Sequence, residues 1–312
     1  MNSHIKGLIA APFTGLRADG NLNPSLIEHQ AQSLAGNGVS GAFICGTTGE
    51  GLSLSTEERR QVAEKWVGAA ATSQLRIIVH VGHQVVSESC GLAAHAQEIK
   101  ASAIATLGPT FFPAGSVEQL VDYCARIAAA APSLPFYYYH IPVMTRIDVP
   151  MYDFLRLGSR RIPNLAGIKF THENLMDYRR CVEFEEGRFN ILFGRDEILL
   201  AALALGATGA VGSTYNYMAP VYGRLIEAFQ LGDLETAQQL QSLAIRIIAL
   251  MSQRGGLPAG KAMMKMIGLD CGPVRPPLAN LSTETVENFK RELEQAGFPA
   301  FLKNLPMPAA RA

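Results

Sequence analysis

The chain has 312 residues, of which 48% are hydrophobic, and both numbers allow one large domain with a sizeable core. Lysine plus arginine and aspartate plus glutamate both number 27, which argues against nucleic acid as a partner, and no apolar stretch reaches the roughly 18 residues of a membrane span. Five scattered cysteines, never in C-x-x-C spacing, and an N-terminus without signal-peptide features predict a cytoplasmic protein with neither a disulfide framework nor a cysteine metal site.

Short apolar runs, rich in β-branched and aromatic residues, recur along the first two thirds of the chain. They are continuous rather than alternating, which is typical of parallel strands that are covered on both faces. We predict eight such strands, at residues 7–14, 41–46, 75–82, 102–109, 135–142, 165–170, 189–194 and 208–213.

The segments between these runs have helical spacing and helix start signals. The first begins near Pro24 and stops at Gly36 and Gly38, and Ser55 with Glu58 has the spacing of a capping box. Roughly eight strand–helix units in about 220 residues predict a closed (β/α)₈ barrel, the TIM barrel. A doubly wound open sheet is the alternative, but it would more often have fewer strands and a G-x-G-x-x-G turn after the first, which is absent here.

From about residue 220 onward the pattern is helical only. We therefore predict a barrel at residues 1–222 that carries the active site, and a C-terminal helical extension at residues 223–312. Within the extension, GGLPAGKA at residues 255–262 approaches the spacing of a phosphate-binding loop. Ala262 replaces the hydroxyl that such a loop requires, and a helix rather than a strand precedes it, so we do not expect nucleotide binding there.

Polar side chains are predicted at the carboxyl ends of five strands, where barrels of this kind carry their chemistry. A lysine near a strand end usually extends into solvent. Because several other polar side chains are predicted at the same end of the barrel, a catalytic role for Lys169 is favoured instead. The residues that converge on this end include Thr47, Thr48, Tyr139, Lys169, Thr171, Asp196, Glu197 and Ser213.

Lys169 is flanked by Ile168 and Phe170, and desolvation among apolar side chains lowers a lysine pKa from its usual value near ~10.4 towards the useful range of about 7–8. A neutral amine can attack a carbonyl group and form a Schiff base, whose iminium form draws electrons from a neighbouring C–C bond without a metal. The loop GTTGEG at residues 46–51 offers hydroxyls and backbone amides that suit the carboxylate of a 2-oxo acid. An ordinary tight turn is the alternative for this loop.

The motifs GTTGEG, YYYHIP, GIKFT, GRDE and GATGAVGSTYN occur in this order. Together they resemble the pyruvate-dependent class I aldolases of the dihydrodipicolinate synthase/N-acetylneuraminate lyase family, over about residues 5 to 280. The resemblance implies a (β/α)₈ barrel with a C-terminal helical extension, assembled as a homotetramer. It also implies that the lysine Schiff base is used without a further cofactor or a metal.

The resemblance also implies a role for each matching residue. Lys169 would form the Schiff base with pyruvate or its sugar-acid precursor, Tyr139 would move protons, and Thr47 would share in that relay. The residues implied to bind substrate are Thr48, Gly49, Thr171, Gly194, Asp196, Glu197 and Ser213, with Thr47 and Thr48 at the pyruvate carboxylate.

Two features distinguish branches of the family. Met144 stands where the lysine-biosynthetic synthases carry an arginine, whereas the Asp196-Glu197 pair, YYYHIP and GSTYN resemble the N-acetylneuraminate lyases. This branch implies reversible cleavage of N-acetylneuraminate, a sialic acid, to pyruvate and N-acetylmannosamine. The alternatives are another pyruvate aldolase of the family, which would cleave a 2-keto-3-deoxy sugar acid or make dihydrodipicolinate, and a non-catalytic sugar-binding relative. Phe111 and Phe112 stand where many bacterial members place a relay tyrosine from a neighbouring subunit.

Overall fold

The computed structural model describes residues 4–298, and within this range eight parallel strands close into a barrel. Each strand pairs with the next along the chain, and β8 pairs with β1 to close the ring. The strands are β1 (Gly7–Ala10), β2 (Gly41–Ile44), β3 (Arg76–His80), β4 (Ala103–Thr106), β5 (Phe136–His140), β6 (Leu165–Phe170), β7 (Asn190–Phe193) and β8 (Gly209–Gly212). The predicted (β/α)₈ barrel is confirmed.

Helices follow the strands and surround the barrel. Among the described residues they are α1 (Leu26–Gly36), α2 (Thr56–Ser73), α3 (Val86–Glu98), α4 (Val117–Ala128), α5 (Pro142–Thr145), α6 (Met151–Arg161), α7 (Leu175–Glu183), α8 (Leu199–Ala204), α9 (Tyr215–Gln230), α10 (Leu234–Ser252), α11 (Leu257–Met266) and α12 (Thr283–Gln295). Short 3₁₀ helices occupy Gly51–Ser53, Phe184–Gly187 and Asp196–Ile198. The capping box predicted for α2 is present, since Ser55 Oγ accepts from the Glu58 N–H and the Glu58 carboxylate accepts from the Ser55 N–H.

Seven of the eight strands are shorter than the apolar runs that predict them, and β6 coincides with its run at residues 165–170. The first run extends to Thr14, but β1 ends at Ala10 and Pro12 follows two residues later, where no backbone N–H is available for the ladder. Residues 11–14 beyond the end of β1 nevertheless remain buried. Hydrophobicity therefore extends further than the ladder of hydrogen bonds does.

Alternation along the strands divides the core into two layers. One cluster of buried side chains comes from strands and strand ends and fills the barrel interior, and it includes Phe43, Tyr137 and Tyr139. The second, larger cluster lies between strands and helices and includes Tyr138 and Ile168. Neighbouring tyrosines of β5 thus face opposite sides of the barrel wall, and this places the Tyr139 side chain inside the barrel.

The last helices pack against the barrel and one another. Helix α9 follows β8 directly and begins at Tyr215, so the predicted boundary at residue 222 falls inside this helix. Helix α10 contacts α8, α9, α11 and α12. The division into a barrel and a helical extension stays a prediction, and residues 299–312 of the extension lie outside the described residues. No helix between residues 4 and 298 is long and apolar enough to cross a membrane.

Candidate active site

A cavity of about 290 Å³ opens at the carboxyl ends of the strands. Its position follows from the parallel barrel, since all eight strands deliver the residues after their last ladder position to the same end. Nine of the ten residues predicted to form a site line this cavity, namely Thr47, Thr48, Tyr139, Lys169, Thr171, Gly194, Asp196, Glu197 and Ser213. The convergence predicted from the strand ends is therefore present.

The Lys169 side chain points into the barrel and is 5% exposed. Its Nζ lies 3.9 Å from the centroid of the Tyr139 ring and 4.1 Å from that of Phe43. Burial lowers the pKa of Lys169 from 10.5 to about 7, and the carboxylate of Asp196 acts in the opposite direction. A fall of this size amounts to about 5 kcal/mol against the ammonium form. The aromatic faces favour the ammonium by only about 1–2 kcal/mol, so desolvation dominates and about half of the amine is neutral near pH 7.

Tyr139 lies beside Lys169 because the two residues are direct partners in the β5–β6 ladder. The Tyr139 hydroxyl is 3.2 Å from Thr47 Oγ1, and either oxygen can donate. Burial raises the pKa of Tyr139 to about 12, and the hydrogen bond with Thr47 lowers it only in part. The phenol therefore keeps its proton at neutral pH. Thr47 is exposed, so the pair of hydroxyls leads from the lysine outward towards solvent.

The turn after β2 presents Thr47 and Thr48 to the cavity. The Glu50 N–H donates to the Thr47 carbonyl over 3.1 Å, and the Gly51 N–H donates to the Gly46 carbonyl over 3.1 Å. A Cβ atom on Gly51 would lie 1.8 Å from the Cys45 carbonyl oxygen, so only glycine allows the turn to fold back so closely. Backbone bonds and a required glycine thus fix the two hydroxyl side chains at the mouth.

Asp196 supplies a buried carboxyl group to the cavity. Its Oδ2 accepts from Thr214 N–H over 3.0 Å and from Thr214 Oγ1 over 2.5 Å. Burial raises the pKa of Asp196 to about 6, because desolvation outweighs the hydrogen bonds from Thr214. A Cβ on Gly212 would lie 1.9 Å from Asp196 Oδ1, so the glycine that ends β8 leaves room for this carboxyl group.

The rim beside Asp196 carries further polar groups. Glu197 lies 3.3 Å from Arg195 Nη1, and Arg195 also pairs with Glu173. Thr171 Oγ1 is buried without a hydrogen-bond partner among the described residues. A Cβ on Gly194 would lie 2.2 Å from that oxygen. The unpaired hydroxyl lines the cavity and is available to a polar ligand.

The chain was compared with known families, proteins and solved structures. The dihydrodipicolinate synthetase family model matches residues 4–296. The chain belongs to this family. It is 40% identical over 301 residues to a protein of Rattus norvegicus named N-acetylneuraminate lyase, covering 95% of this chain and 94% of the relative.

Solved structures of N-acetylneuraminate lyases superpose closely on this chain. The N-acetylneuraminate lyase of Proteus mirabilis has a TM-score of 0.92 and 42% identity, covering 95% of this chain and 100% of that one. A structure of N-acetylneuraminate lyase, or sialic acid aldolase, from Aliivibrio salmonicida also has a TM-score of 0.92 and 42% identity, covering 95% and 98%. The resemblance drawn from the motifs is confirmed at the level of the family and of its aldolase fold.

Gly49 is the one predicted site residue that does not line the cavity. It is buried in the turn, and its carbonyl oxygen accepts a hydrogen bond from Thr14 Oγ1 over 2.7 Å. A Cβ there would lie 3.2 Å from both the Cys45 nitrogen and the Pro12 carbonyl oxygen. Its direct neighbours are thus backbone atoms behind the turn.

The sequence did not identify the wall that the last helices contribute to this family member's cavity. Ile248, Met251 and Ser252 of α10, with Gly256 and Leu257 at the start of α11, line the cavity together with the barrel residues. All the residues predicted for the site lie within residues 1–222, so this part of the wall was not predicted. Apolar residues of an amphipathic helix have the same pattern whether they meet a core or a cavity, and the sequence alone gives no signal that separates the two.

Between residues 4 and 298 no group of three or more His, Cys, Asp and Glu side chains is arranged to hold a metal ion. Asp196 and Glu197 are neighbours in sequence, but Asp196 bonds to Thr214 and Glu197 pairs with Arg195.

Proposed function

We propose that this chain is a Schiff-base aldolase that reversibly cleaves N-acetylneuraminate to pyruvate and N-acetylmannosamine. The observation that carries the proposal is the buried Lys169 amine, with its pKa near 7, beside the Tyr139–Thr47 hydroxyl pair. Relatives that share 40–42% of their residues with the chain are named N-acetylneuraminate lyase, which supports the choice of substrate.

The first step uses the neutral amine of Lys169. Its lone pair attacks the C2 ketone of the open-chain sugar acid, and loss of water with uptake of one proton from solvent gives an iminium ion between Nζ and C2. The hydroxyl groups of Thr47 and Thr48 lie at the mouth beside this position, where they can hold the neighbouring carboxylate. Lysine with an ordinary pKa would be almost entirely protonated and unreactive at neutral pH.

The second step breaks the C3–C4 bond. The Tyr139 oxygen accepts the C4 hydroxyl proton, C4 becomes the aldehyde of N-acetylmannosamine, and the bonding electrons move into the iminium to give an enamine. Because its pKa is about 12, Tyr139 begins as a phenol and can accept this proton only while it passes its own to Thr47, whose exposed hydroxyl releases its proton to solvent in turn. The 3.2 Å contact between the two oxygens supplies that route. Protonation of the enamine at C3 and hydrolysis then release pyruvate and restore Lys169.

The polyhydroxyl part of the substrate would meet the opposite side of the cavity. We assign its hydroxyl groups to Thr171, Gly194, Asp196, Glu197 and Ser213, which present an unpaired hydroxyl, carboxyl groups and open backbone there. We name residues 46–51 the carboxylate-binding turn. We propose that Gly49 maintains the shape of this turn, since its surroundings leave little room for a side chain. We propose no metal and no cofactor besides the lysine.

The proposal includes a homotetramer in the cytoplasm. Phe111, Phe112, Val143 and Met144 are 72%, 79%, 77% and 52% exposed. The loop after β4 carries the two phenylalanines and α5 carries the other two, and a hydrogen bond from Arg146 to the Thr110 carbonyl joins these segments. An apolar patch of this kind favours cover by another copy of the chain. The five cysteines, all within the described range, are unpaired, which fits a reducing compartment. Sedimentation velocity of the purified chain tests the assembly.

Reductive trapping tests the chemistry. Borohydride added in the presence of pyruvate should leave a stable adduct on the peptide that contains Lys169, and the Lys169→Ala variant should show none. Absence of an adduct from the unaltered chain would contradict the mechanism. Turnover of N-acetylneuraminate, of a 2-keto-3-deoxy sugar acid, and of pyruvate with aspartate semialdehyde then separates the branches. Activity with aspartate semialdehyde and none with sialic acid would reject the proposed substrate.

A further inference from the structure

A buried ion pair joins the carboxylate-binding turn to the last helices. Glu50 Oε1 lies 2.7 Å from Lys261 Nζ, and the two side chains are only 2% and 4% exposed. The other atoms are also engaged, because Lys261 Nζ donates to the Pro273 carbonyl over 2.5 Å and the Arg275 N–H donates to Glu50 Oε2 over 2.7 Å. Burying two charges costs several kcal/mol per ion, so such a pair adds little or no net stability. Stability alone therefore does not explain why the ion pair is present.

Each partner of the pair lies in a different segment that supplies lining residues to the cavity. Glu50 closes the turn that carries Thr47 and Thr48, and it does so in the left-handed region with φ of +52°. Lys261 lies on α11, four residues after Leu257, which lines the cavity. One helical turn thus separates the buried ammonium from the apolar wall. The ion pair therefore joins the turn that carries Thr47 and Thr48 directly to the helix whose Leu257 lines the cavity.

We propose that Glu50 and Lys261 are positioning residues that set the distance between the carboxylate-binding turn and the α11 wall of the cavity. This inference rests on the proposed function, because it concerns how the two ends of a long substrate are held. Pyruvate is short and needs the turn and Lys169 only. A nine-carbon sugar acid extends from the turn towards Leu257 and therefore depends on the separation of the two walls.

The neighbouring segment has a second attachment that keeps the fold intact when the pair is removed. The Arg275 guanidinium forms two hydrogen bonds with the Glu58 carboxylate and others with the carbonyls of Ser53 and Gly20. A variant that removes the Glu50–Lys261 pair in matched form, Glu50→Gln with Lys261→Met, leaves no buried net charge. We expect it to fold, since replacing both members of a buried pair is often neutral for stability.

The test compares two substrates in one variant. We expect the matched double variant to raise KM for N-acetylneuraminate by about 10-fold or more, since an ångström of misplacement can cost about 100-fold. The kcat value and the pyruvate concentration for half-maximal borohydride trapping should change by less than about 3-fold. The control is Lys265→Met on the same helix, which removes an exposed ion pair with Asp270 and should leave both values unchanged.

A second pair of variants covers the case in which the neutral pair does not fold. Glu50→Asp shortens the carboxyl arm and should raise KM for the sugar acid, and adding Lys261→Arg, which lengthens the cationic arm, should restore it. An unchanged KM in both sets, or an equal rise for sugar acid and pyruvate, overturns the inference. A wild-type chain that forms no pyruvate adduct contradicts the proposed function instead, so the two failures are distinguishable.

Discussion

The pH dependence of Schiff-base formation is the most direct consequence of the Lys169 environment. A lysine with a pKa of 10.5 holds only about 0.03% of its molecules as amine at pH 7, whereas one with a pKa of about 7 holds about half. Burial thus increases the reactive fraction by about 10³-fold. The rate of pyruvate trapping should rise with pH, reach half its maximum near pH 7, and be level by about pH 9.

A substitution at Asp196 tests the cause of this midpoint. The Asp196 carboxylate raises the pKa of Lys169, so Asp196→Asn should move the midpoint of trapping to lower pH. Thr214 can still bond to the amide oxygen, which limits the disturbance. Pyruvate is used because it does not reach the polyhydroxyl side of the cavity, so a loss of sugar binding does not enter the result.

The assay is single-turnover borohydride trapping with saturating pyruvate, followed by intact mass, from pH 5.5 to 10. Pyruvate stays ionised throughout this range, and borohydride consumption is corrected with free lysine at each pH. A wild-type midpoint above pH 9 would refute the desolvated lysine. A midpoint that rises in Asp196→Asn would refute the electrostatic link between the two residues.

Three further predictions follow from the site. Tyr139→Phe should lower kcat for sialic acid cleavage by about 10²- to 10⁴-fold with a small change in KM, as measured by steady-state kinetics. An unchanged kcat would contradict the proton relay. Lys169→Met should raise the free energy of unfolding by up to about 4 kcal/mol at pH 7, as measured by urea denaturation, because the wild-type chain must give up a lysine proton on folding. The Lys169 pKa is lower in the folded chain than in the unfolded chain, so the stability of the wild-type chain rises with pH between about 7 and 10.5. The stability gained by Lys169→Met should therefore shrink over that interval. A difference in unfolding free energy that does not depend on pH would contradict this prediction. Gly51→Ala should displace the turn through its contact with the Cys45 carbonyl and abolish pyruvate trapping while the circular dichroism spectrum of the barrel persists.

The barrel could be predicted from the sequence because each strand and each helix is indicated by a short stretch of neighbouring residues. Each strand is an apolar run such as FYYYH or LAGIKF, and each helix carries its own start and stop signals. Alternation within β5 even separates Tyr139, which faces inward, from Tyr138, which faces outward. Strand ends were less predictable, because residues that cover the mouth are as apolar as those in the ladder.

The contacts that complete the site could not be predicted in the same way. Glu50 and Lys261 are 211 positions apart, and the segment around Lys261 drew notice only as an incomplete phosphate-binding loop. Leu257 and Met251 read as ordinary core residues of helices. Pairings over such separations depend on how finished elements pack together, and no spacing along one sequence encodes them.

The placement of α10 and α11 against the cavity has a consequence for synthesis. A ribosome releases the barrel strands first, and the segments that supply Met251, Leu257 and Lys261 emerge only after the ring is able to close. A ring that closed before they arrived would leave the Lys169 amine in a cavity that lacks one wall and is open to cellular aldehydes and ketones. The cavity would therefore become selective for its substrate only when α10 and α11 have been synthesised, at the end of translation.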